Sequence, residues 1–198
     1  MTEHRVYLLR HGDTEWSGNG RHTGRTDIPL TANGERLARL AGRTLSALGL
    51  VLPALVLASP RQRARRTAEL AGLRDVVTDP LLAEWDYGDY EGLTTPEIRE
   101  QVPGWTVWTH PCPGGESAED VTARADKVLA QVRNVESDVV LVGHGHFGRS
   151  LIARWIGEPV TAGVRFALDP AAVAVLGHER GVPQVTRSNI PAWQDSGD

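Results

Sequence analysis

Two histidines follow apolar segments of strand length in the same way. VYLL leads into Arg10-His11-Gly12, and VVLV leads into Gly143-His144-Gly145. Ligands of parallel α/β sheets bind beyond the carboxyl ends of the strands, so these two imidazoles could face one another there. A neutral imidazole can act as a nucleophile or as a hydrogen-bond donor. Either histidine alone could equally be a turn residue satisfied by the backbone, but the repeated placement favours a function.

A third apolar segment, ALVLA, leads into the arginine-rich stretch SPRQRARR. Ser59 with Gln62 three residues later predicts a capping box, with Pro60 at the first helical position. Arg61 and Arg63 would then lie in the first turn of a helix, where unpaired N–H groups already favour an anion such as phosphate. The alternative is a solvated helix face. We expect that alternative for Arg65 and Arg66.

The stretch LLAEWDYGDYEG places carboxylates among aromatic residues, and Glu84 is the first of them. A carboxyl group beside aromatic surface can stay protonated near neutral pH, which is the state that a general acid needs. Acidic-aromatic loops are common, so this segment indicates little by itself.

The intervening segments predict an α/β fold, a three-layer sandwich with helices on both faces of a mostly parallel sheet. Four apolar runs of strand length are continuous rather than alternating, as expected for strands covered on both faces. They span residues 6–9, 54–58, 139–143 and 172–176. Helical spacing follows the N-cap candidates Thr31 and Ser117, and a shorter helix is predicted over residues 147–156. We expect residues 103–115 to form an ordered surface loop and the last ten or so residues to be loosely held.

Composition restricts the class of protein. The 198 residues, 40% hydrophobic and 23% charged, predict one domain over residues 1–198. A net charge of -4 argues against binding nucleic acid, which needs a basic surface. Cys112 is the single cysteine, so no internal disulfide can form, and we expect a cytoplasmic protein. No apolar run reaches the ~20 residues of a membrane span, and we expect no secretion signal because the first residues lack a long apolar stretch with a cleavage site.

Five blocks, in order along the chain, resemble the histidine phosphatase superfamily, which includes phosphoglycerate mutases. They read LLRHGDTEW, HTGRTDIPLT, ASPRQRARRTA, LAEWDYGDYEG and VGHGHFGRSL. The acidic-aromatic block, the stretch from Trp105 to Cys112 and the histidines at 144 and 146 resemble in particular sugar-phosphate phosphatases of the sedoheptulose-bisphosphatase type and broad-specificity acid phosphatases. The fold implied is phosphoglycerate mutase-like.

The resemblance implies a phosphatase acting on a small phosphorylated metabolite through a phosphohistidine. His11 would be the nucleophile and Glu84 the proton donor, and the phosphate pocket would comprise Arg10, Arg63 and His144. The substrate-binding positions implied are Ser17, Thr23, Gly24, Tyr87 and His146. Guanidinium groups suit pairs of phosphate oxygens, and a charged His144 would add a third positive contact.

No cofactor and no metal are expected. His144 and His146 form an H-x-H pair, but no third ligand stands at metal-binding spacing. His146 is expected instead to contact substrate or to pack at the pocket rim.

Two rival functions stay open, a mutase and a non-catalytic phosphate-binding module. The segment between Glu84 and Glu116 is short and contains only Arg99 as a cation, and Ser17 stands where mutases usually carry asparagine. Few cations beyond the phosphate pocket, and aromatic side chains suited to a sugar (Trp85, Tyr87, Trp105 and Trp108), favour hydrolysis over mutase activity. A homodimer is kept as an option.

Overall fold

The computed structural model describes residues 4–193, in which a six-stranded sheet is accompanied by six α-helices. The strands are β1 (Val6–Arg10), β2 (Leu55–Ala58), β3 (Val77–Thr78), β4 (Val139–Gly143), β5 (Val173–Glu179) and β6 (Val182–Ile190). The α-helices are α1 (Glu15–Asn19), α2 (Ala32–Ala47), α3 (Gln62–Leu70), α4 (Thr95–Gln101), α5 (Ala118–Arg133) and α6 (Gly145–Trp155). Short 3₁₀ helices cover Pro80–Leu82, Gly88–Tyr90 and Val160–Arg165.

The strand order is β3-β2-β4-β1-β5-β6, and the first four strands in that order run parallel. β5 pairs antiparallel with β1, and β6 antiparallel with β5. The apolar run at residues 172–176 therefore belongs to an antiparallel strand of the predicted mostly parallel sheet. A continuous apolar run indicates that both faces of a strand are covered, but it does not indicate whether the strand is parallel or antiparallel to its neighbour. The sheet as a whole remains mostly parallel.

Alternate side chains of β1 pack into two separate cores, one on each face of the sheet. The sheet is thus the middle layer between two layers of helices. Val6 and Leu8 join the cluster under α5 and α6, whereas Tyr7 and Leu9 join the cluster under α2 and α3. Strand side chains alternate between faces, so one apolar run serves both cores. The predicted three-layer α/β class is confirmed.

The two long predicted helices begin where their capping residues indicated. The Thr31 side chain accepts from the Gly34 N–H, and Ser117 forms a reciprocal capping box with Asp120. These side chains satisfy N–H groups that a helix start leaves unpaired. The third predicted helix begins at Gly145, two residues before the expected start, directly after His144.

The segment 103–115 lies only partly at the surface. Trp105, Trp108 and Cys112 are all buried, and they join the core cluster under α5 and α6. The glycines and prolines correctly predicted an irregular backbone. The two tryptophans are nevertheless buried, because removing their large apolar area from water stabilises the fold.

The chain end is also held more firmly than expected over its described part. Ala192 is buried, the Asn189 amide donates to the Asp169 carboxylate, and the Trp193 N–H donates to Thr44 Oγ1. The rest of that prediction falls on residues 194–198, outside the described residues.

Candidate active site

The two histidine-bearing segments lie side by side because β1 and β4 are neighbouring parallel strands. Arg10 is in register with Gly143, and the His11 N–H donates to the Gly143 carbonyl oxygen across 2.9 Å. The imidazole centroids of His11 and His144 are 5.2 Å apart, with the rings inclined at 67°. The structure thus brings both histidines to the carboxyl edge of the parallel strands.

His11 is held as a neutral imidazole of defined orientation. Its Nδ1 lies 2.7 Å from the carbonyl oxygen of Gly12, which can only accept, so Nδ1 carries the proton. Burial holds the pKa of His11 well below its usual range, and the positive charges of Arg63 and Arg10 lower the pKa further. The lone pair is therefore on Nε2, as a nucleophile at phosphorus requires.

Burial favours the neutral form of His144 over the charged form that would add a third positive contact. Burial is the main cause that holds its pKa well below the usual range, followed by the charge of Arg63. Its Nε2 lies 2.7 Å from Ser59 Oγ, and its buried Nδ1 has no partner within residues 4–193. A neutral His144 can offer an N–H donor to an anion, but no net charge.

Ser59 has a different role from the predicted one. α3 begins at Gln62 with Arg61 as N-cap, and no side chain caps it. The Ser59 N–H extends the sheet by donating to the Val142 carbonyl, and its hydroxyl contacts His144. Strand pairing thus continues through Ser59, which moves the helix start beyond the predicted capping box.

Backbone carbonyls orient Arg10 and Arg63 without neutralising them. Arg10 donates from Nη1 to the Leu168 carbonyl at 2.7 Å. Arg63 donates from Nη1 to Thr26 at 2.9 Å and from Nη2 to the Thr23 carbonyl at 3.0 Å. In both guanidiniums the buried Nε has no partner within the described residues. Burial lowers both pKa values, which the nearby Glu84 opposes, and an arginine keeps its charge through such shifts.

The carboxyl group of Glu84 lies at the start of α6 rather than against aromatic faces. Oε1 accepts from the backbone N–H groups of Trp85 at 2.8 Å and Phe147 at 2.7 Å, and Oε2 accepts from the His146 N–H at 3.0 Å. Helix starts leave such N–H groups unpaired, so they suit a carboxylate. These bonds bring Glu84 to the cavity that His11 lines.

The cavity has a volume of about 180 Å³. Seven of the ten predicted site residues line it: Arg10, His11, Ser17, Thr23, Glu84, Tyr87 and His146. Residues that the sequence reasoning did not identify complete the lining: Thr14, Gly20, Arg21, His22, Gly145 and Arg149.

Three predicted residues lie outside the cavity lining. Arg63 and His144 are fully buried in the protein. The His144 ring lies next to that of His11. Gly24 donates its N–H to both oxygens of the Glu91 carboxylate, and its carbonyl accepts from Arg63. A Cβ at position 24 would lie 2.7 Å from the Trp85 carbonyl oxygen. Gly24 therefore supports Arg63 instead of facing the cavity.

Arg21 and Arg149 correct the expectation of few cations beyond the phosphate pocket. Both line the cavity, and neither belongs to the segment 84–116, in which Arg99 is the only lysine or arginine. Arg149 lies one turn along α6 from the cavity-lining His146 and Gly145, a helical spacing that could have identified it. Nothing local distinguishes Arg21 in the sequence.

The imidazole of His146 pairs with Tyr87, whose hydroxyl oxygen is 2.6 Å from Nδ1. His144 Nε2 is likewise within hydrogen-bond distance of Ser59 Oγ, so each histidine of the H-x-H pair has one ring nitrogen bonded to a hydroxyl group. Over residues 4–193, no group of three His, Cys, Asp or Glu side chains is arranged to hold a metal ion. Trp85, Trp105 and Trp108 are buried in the core and absent from the cavity lining, so of the four aromatic residues expected at a sugar only Tyr87 lines this cavity.

A larger cavity of about 440 Å³ lies between α2, β2 and β3. Its lining is mainly aliphatic and contains neither histidine nor glutamate. Of these two cavities, it is the smaller one, at the ends of β1 and β4, whose lining contains histidines and Glu84.

Comparison with known proteins agrees with this geometry. An acid phosphatase of Mycobacterium tuberculosis is 52% identical over 187 residues, covering 93% of this chain and 92% of that protein. A sedoheptulose 1,7-bisphosphatase of Saccharomyces cerevisiae is 34% identical over 184 residues, covering 77% of this chain and 68% of that one. A solved structure of an open reading frame product from Mycobacterium tuberculosis superposes with a TM-score of 0.92 at 49% identity, over 96% of this chain and 99% of that chain.

The helices in residues 4–193 are too short or too polar to cross a membrane. The family model for the histidine phosphatase superfamily (branch 1) matches residues 6–191. The chain is thus a member of the histidine phosphatase superfamily, with a phosphoglycerate mutase-like fold, and it is a phosphatase that acts on phosphorylated substrates.

Proposed function

We propose that the protein hydrolyses small phosphate monoesters, such as sugar phosphates, through a phosphohistidine on His11. The observation that carries this proposal is the bond from His11 Nδ1 to the Gly12 carbonyl, 2.7 Å long, which leaves the lone pair on Nε2. In the first step Nε2 forms a bond to phosphorus as the bond to the leaving oxygen breaks. Water then attacks phosphorus, and the N–P bond breaks to release inorganic phosphate.

Three buried nitrogens that have no hydrogen-bond partner within residues 4–193 support the phosphate pocket. They are Nε of Arg10, Nε of Arg63 and Nδ1 of His144. A buried donor left unpaired costs free energy, and phosphoryl oxygens are acceptors that would satisfy all three. We assign these donors to the equatorial oxygens, where charge concentrates in the transition state.

Glu84 is assigned the proton transfers. Its position on the cavity lining, with His11 on the same lining, supports a role at the leaving oxygen. The acid form would protonate the departing alkoxide, and the resulting carboxylate would take a proton from the attacking water. The remaining lining residues Ser17, Thr23, Tyr87 and His146 are assigned to the rest of the substrate.

We propose metal-independent catalysis of the acid phosphatase type. Two guanidiniums supply the positive charge that Mg²⁺ supplies to phosphoryl transfer in many other enzymes. The low pKa of buried His11 supports activity on the acid side of neutrality, because the nucleophile stays unprotonated below pH 6.5. The same chemistry in a mutase would return the phosphoryl group to an organic acceptor, and we favour water as the acceptor.

The decisive experiment is a rapid acid or alkali quench of the enzyme with ³²P-labelled aryl phosphate. We expect an alkali-stable, acid-labile label on wild type, no label on His11→Ala, and a normal label on Arg65→Ala, whose side chain is exposed. An acid-stable, alkali-labile label, or a label that persists in His11→Ala, would refute the phosphohistidine on His11.

We further propose that residues 1–198 act as one catalytic unit in the cytoplasm, with a small phosphorylated metabolite as partner. A homodimer remains our proposal for the assembly, and light scattering of the purified protein tests it.

A further inference from the structure

The guanidinium of Arg124, on α5, uses all of its N–H donors around the segment that carries Glu84. Nε and Nη2 donate to the two oxygens of the Glu116 carboxylate at 2.8 and 2.7 Å. Nη1 donates to the carbonyls of Leu81 and Ala83 at 2.9 and 2.6 Å, and Nη2 donates to the Glu84 carbonyl at 3.4 Å. A guanidinium has five N–H donors, and here five acceptors meet them.

Glu116 continues the same network along the segment. Its Oε2 accepts from the Asp86 N–H at 2.9 Å, and its backbone carbonyl accepts from Trp85 Nε1 at 3.1 Å. The side chains of Arg124 and Glu116 are 13% and 21% exposed, so water screens their pairing little. One ion pair therefore holds the backbone on both sides of Glu84.

Arg124 also contacts the other support of the Glu84 carboxyl group. Its guanidinium carbon lies 3.9 Å from the centroid of the Phe147 ring. The Phe147 N–H donates to Glu84 Oε1 at 2.7 Å. The same cation is thus bonded to the backbone of Glu84 and packed on the residue that orients its side chain.

We propose that Arg124 and Glu116 form a positioning pair that aims Glu84 at the leaving oxygen. Neither residue lines the cavity, and the five N–H donors of Arg124 are all bonded within the protein, so we place neither side chain on the substrate. The inference rests on the proposed role of Glu84 as proton donor. A displacement of the carboxyl group by about 1 Å lowers the rate of proton transfer by one to two orders of magnitude, without changing how the phosphoryl group is held.

Lysine cannot replace Arg124 in this network. Its ammonium has three donors on a flexible stem and cannot meet a bidentate carboxylate and three carbonyls together. Arg124→Lys keeps the charge and loses the geometry, and Glu116→Gln keeps the shape and loses the charge. The two variants thus perturb the same pair from opposite ends.

The test compares an alkyl phosphate, whose poor leaving group needs a proton, with 4-nitrophenyl phosphate, whose leaving group does not. For Arg124→Lys and Glu116→Gln we expect kcat on the alkyl ester to fall at least about ten-fold while kcat on the aryl ester falls less than about three-fold. KM should stay within about two-fold for both esters, because the pair does not touch substrate. Glu84→Gln should show the same selectivity, more strongly.

Arg154→Lys is the matched control. Arg154 forms a similar two-pronged pair with Asp126, at 2.9 and 3.2 Å, between α6 and α5, but bonds to no part of the Glu84 segment. We expect unchanged kcat on both esters. Thermal unfolding of every variant shows whether it folds, and Glu116→Gln decides the question should Arg124→Lys fail to fold.

The outcomes separate the inference from the proposed function. Glu84→Gln can lose kcat selectively on the alkyl ester while Arg124→Lys and Glu116→Gln lose kcat equally on both esters, or lose none. That outcome overturns the positioning role alone. An equal loss on both esters in Glu84→Gln overturns the role of Glu84 as acid, and the positioning role with it. A selective loss in both, with Arg154→Lys unaffected, supports both.

Discussion

The carbonyl oxygen of Gly12 lies 2.7 Å from Nδ1 of His11 and thereby decides which ring nitrogen of its neighbour can attack phosphorus. Gly12 is itself held from two sides. Its N–H donates to Thr67 Oγ1 at 3.0 Å, and a Cβ at its Cα would lie 2.3 Å from the Gly34 carbonyl oxygen. The orientation of the nucleophile therefore depends on the close approach of α2 and α3 to the end of β1.

Gly12→Ala is the first prediction from this contact. The added methyl group would collide with the Gly34 backbone, which no side-chain rotation can relieve, so we expect a loss of about 1–3 kcal/mol of unfolding free energy. The Gly12 carbonyl would shift, and kcat should fall more than about ten-fold, as expected for a misaligned nucleophile. Urea unfolding and steady-state kinetics measure both effects.

Gly18→Ala serves as its control. A Cβ at position 18 would approach only Asp13 Oδ1, at 3.9 Å, and the residue is exposed within α1. We expect a change in stability below about 1 kcal/mol and unchanged kcat. Equal behaviour of the two variants would contradict the importance of the close approach at Gly12.

The second prediction concerns stability against pH. Burial lowers the pKa of His22 from 6.5 to about 4, and the pKa values of His11, His144 and His146 are also lowered by burial. The unfolded chain then binds more protons than the folded one below pH 6.5. The stability that these neutral histidines contribute is therefore fully present above pH 6.5 and is lost as the pH falls. His22 alone should account for about 2 kcal/mol between pH 8 and pH 5.

Urea unfolding at pH 8 and pH 5 checks this sign and size. His22→Gln removes the titrating group, so its loss of stability on acidification should be about 2 kcal/mol smaller than that of wild type. An identical pH dependence in wild type and His22→Gln would show that His22 is not buried as a neutral group.

The third prediction is inhibition by vanadate without any need for a metal. Vanadate can take the trigonal-bipyramidal geometry of the reacting phosphorus and would meet the Nε groups of Arg10 and Arg63, which have no partner in the part of the chain that the structure describes. Arg63→Lys should weaken vanadate inhibition more than about ten-fold, since the planar fork is lost, while Arg65→Lys should leave it unchanged. Dialysis against a chelator should leave activity intact. Activity that disappears on chelation and returns with a divalent ion would contradict the prediction.

The fourth prediction separates hydrolysis from the mutase reaction. A mutase must retain its phosphohistidine in a closed site until an organic acceptor returns, whereas an accessible intermediate is hydrolysed. Arg21 and Arg149 supply cavity cations that the 84–116 segment lacks, so an anionic ester can bind, but binding alone does not exclude water. We expect no more than trace interconversion of 3- and 2-phosphoglycerate. A coupled assay with bisphosphoglycerate-primed enzyme that shows interconversion faster than phosphate release from any ester would make the mutase the better assignment.

Features that depend on chain neighbours could be predicted from the sequence. The apolar runs before His11 and His144 located two strands, and the capping residues Thr31 and Ser117 located two helix starts. Hydrophobic periodicity and capping are local, because they arise from the repeat of a strand or helix and from a side chain three residues from its N–H partner. The five sequence blocks around these elements, in their order along the chain, were sufficient to identify the family.

Relations between distant segments were decided only by the tertiary structure. Nothing near Val173 indicates that β5 runs antiparallel to β1, and nothing near Ser59 indicates that its hydroxyl meets His144. The charge state of His144 follows from burial and from Arg63, a residue more than eighty positions earlier in the chain. Such properties depend on distances and burial that exist only once the chain has packed, because solvation and Coulomb interactions act through space and not along the sequence.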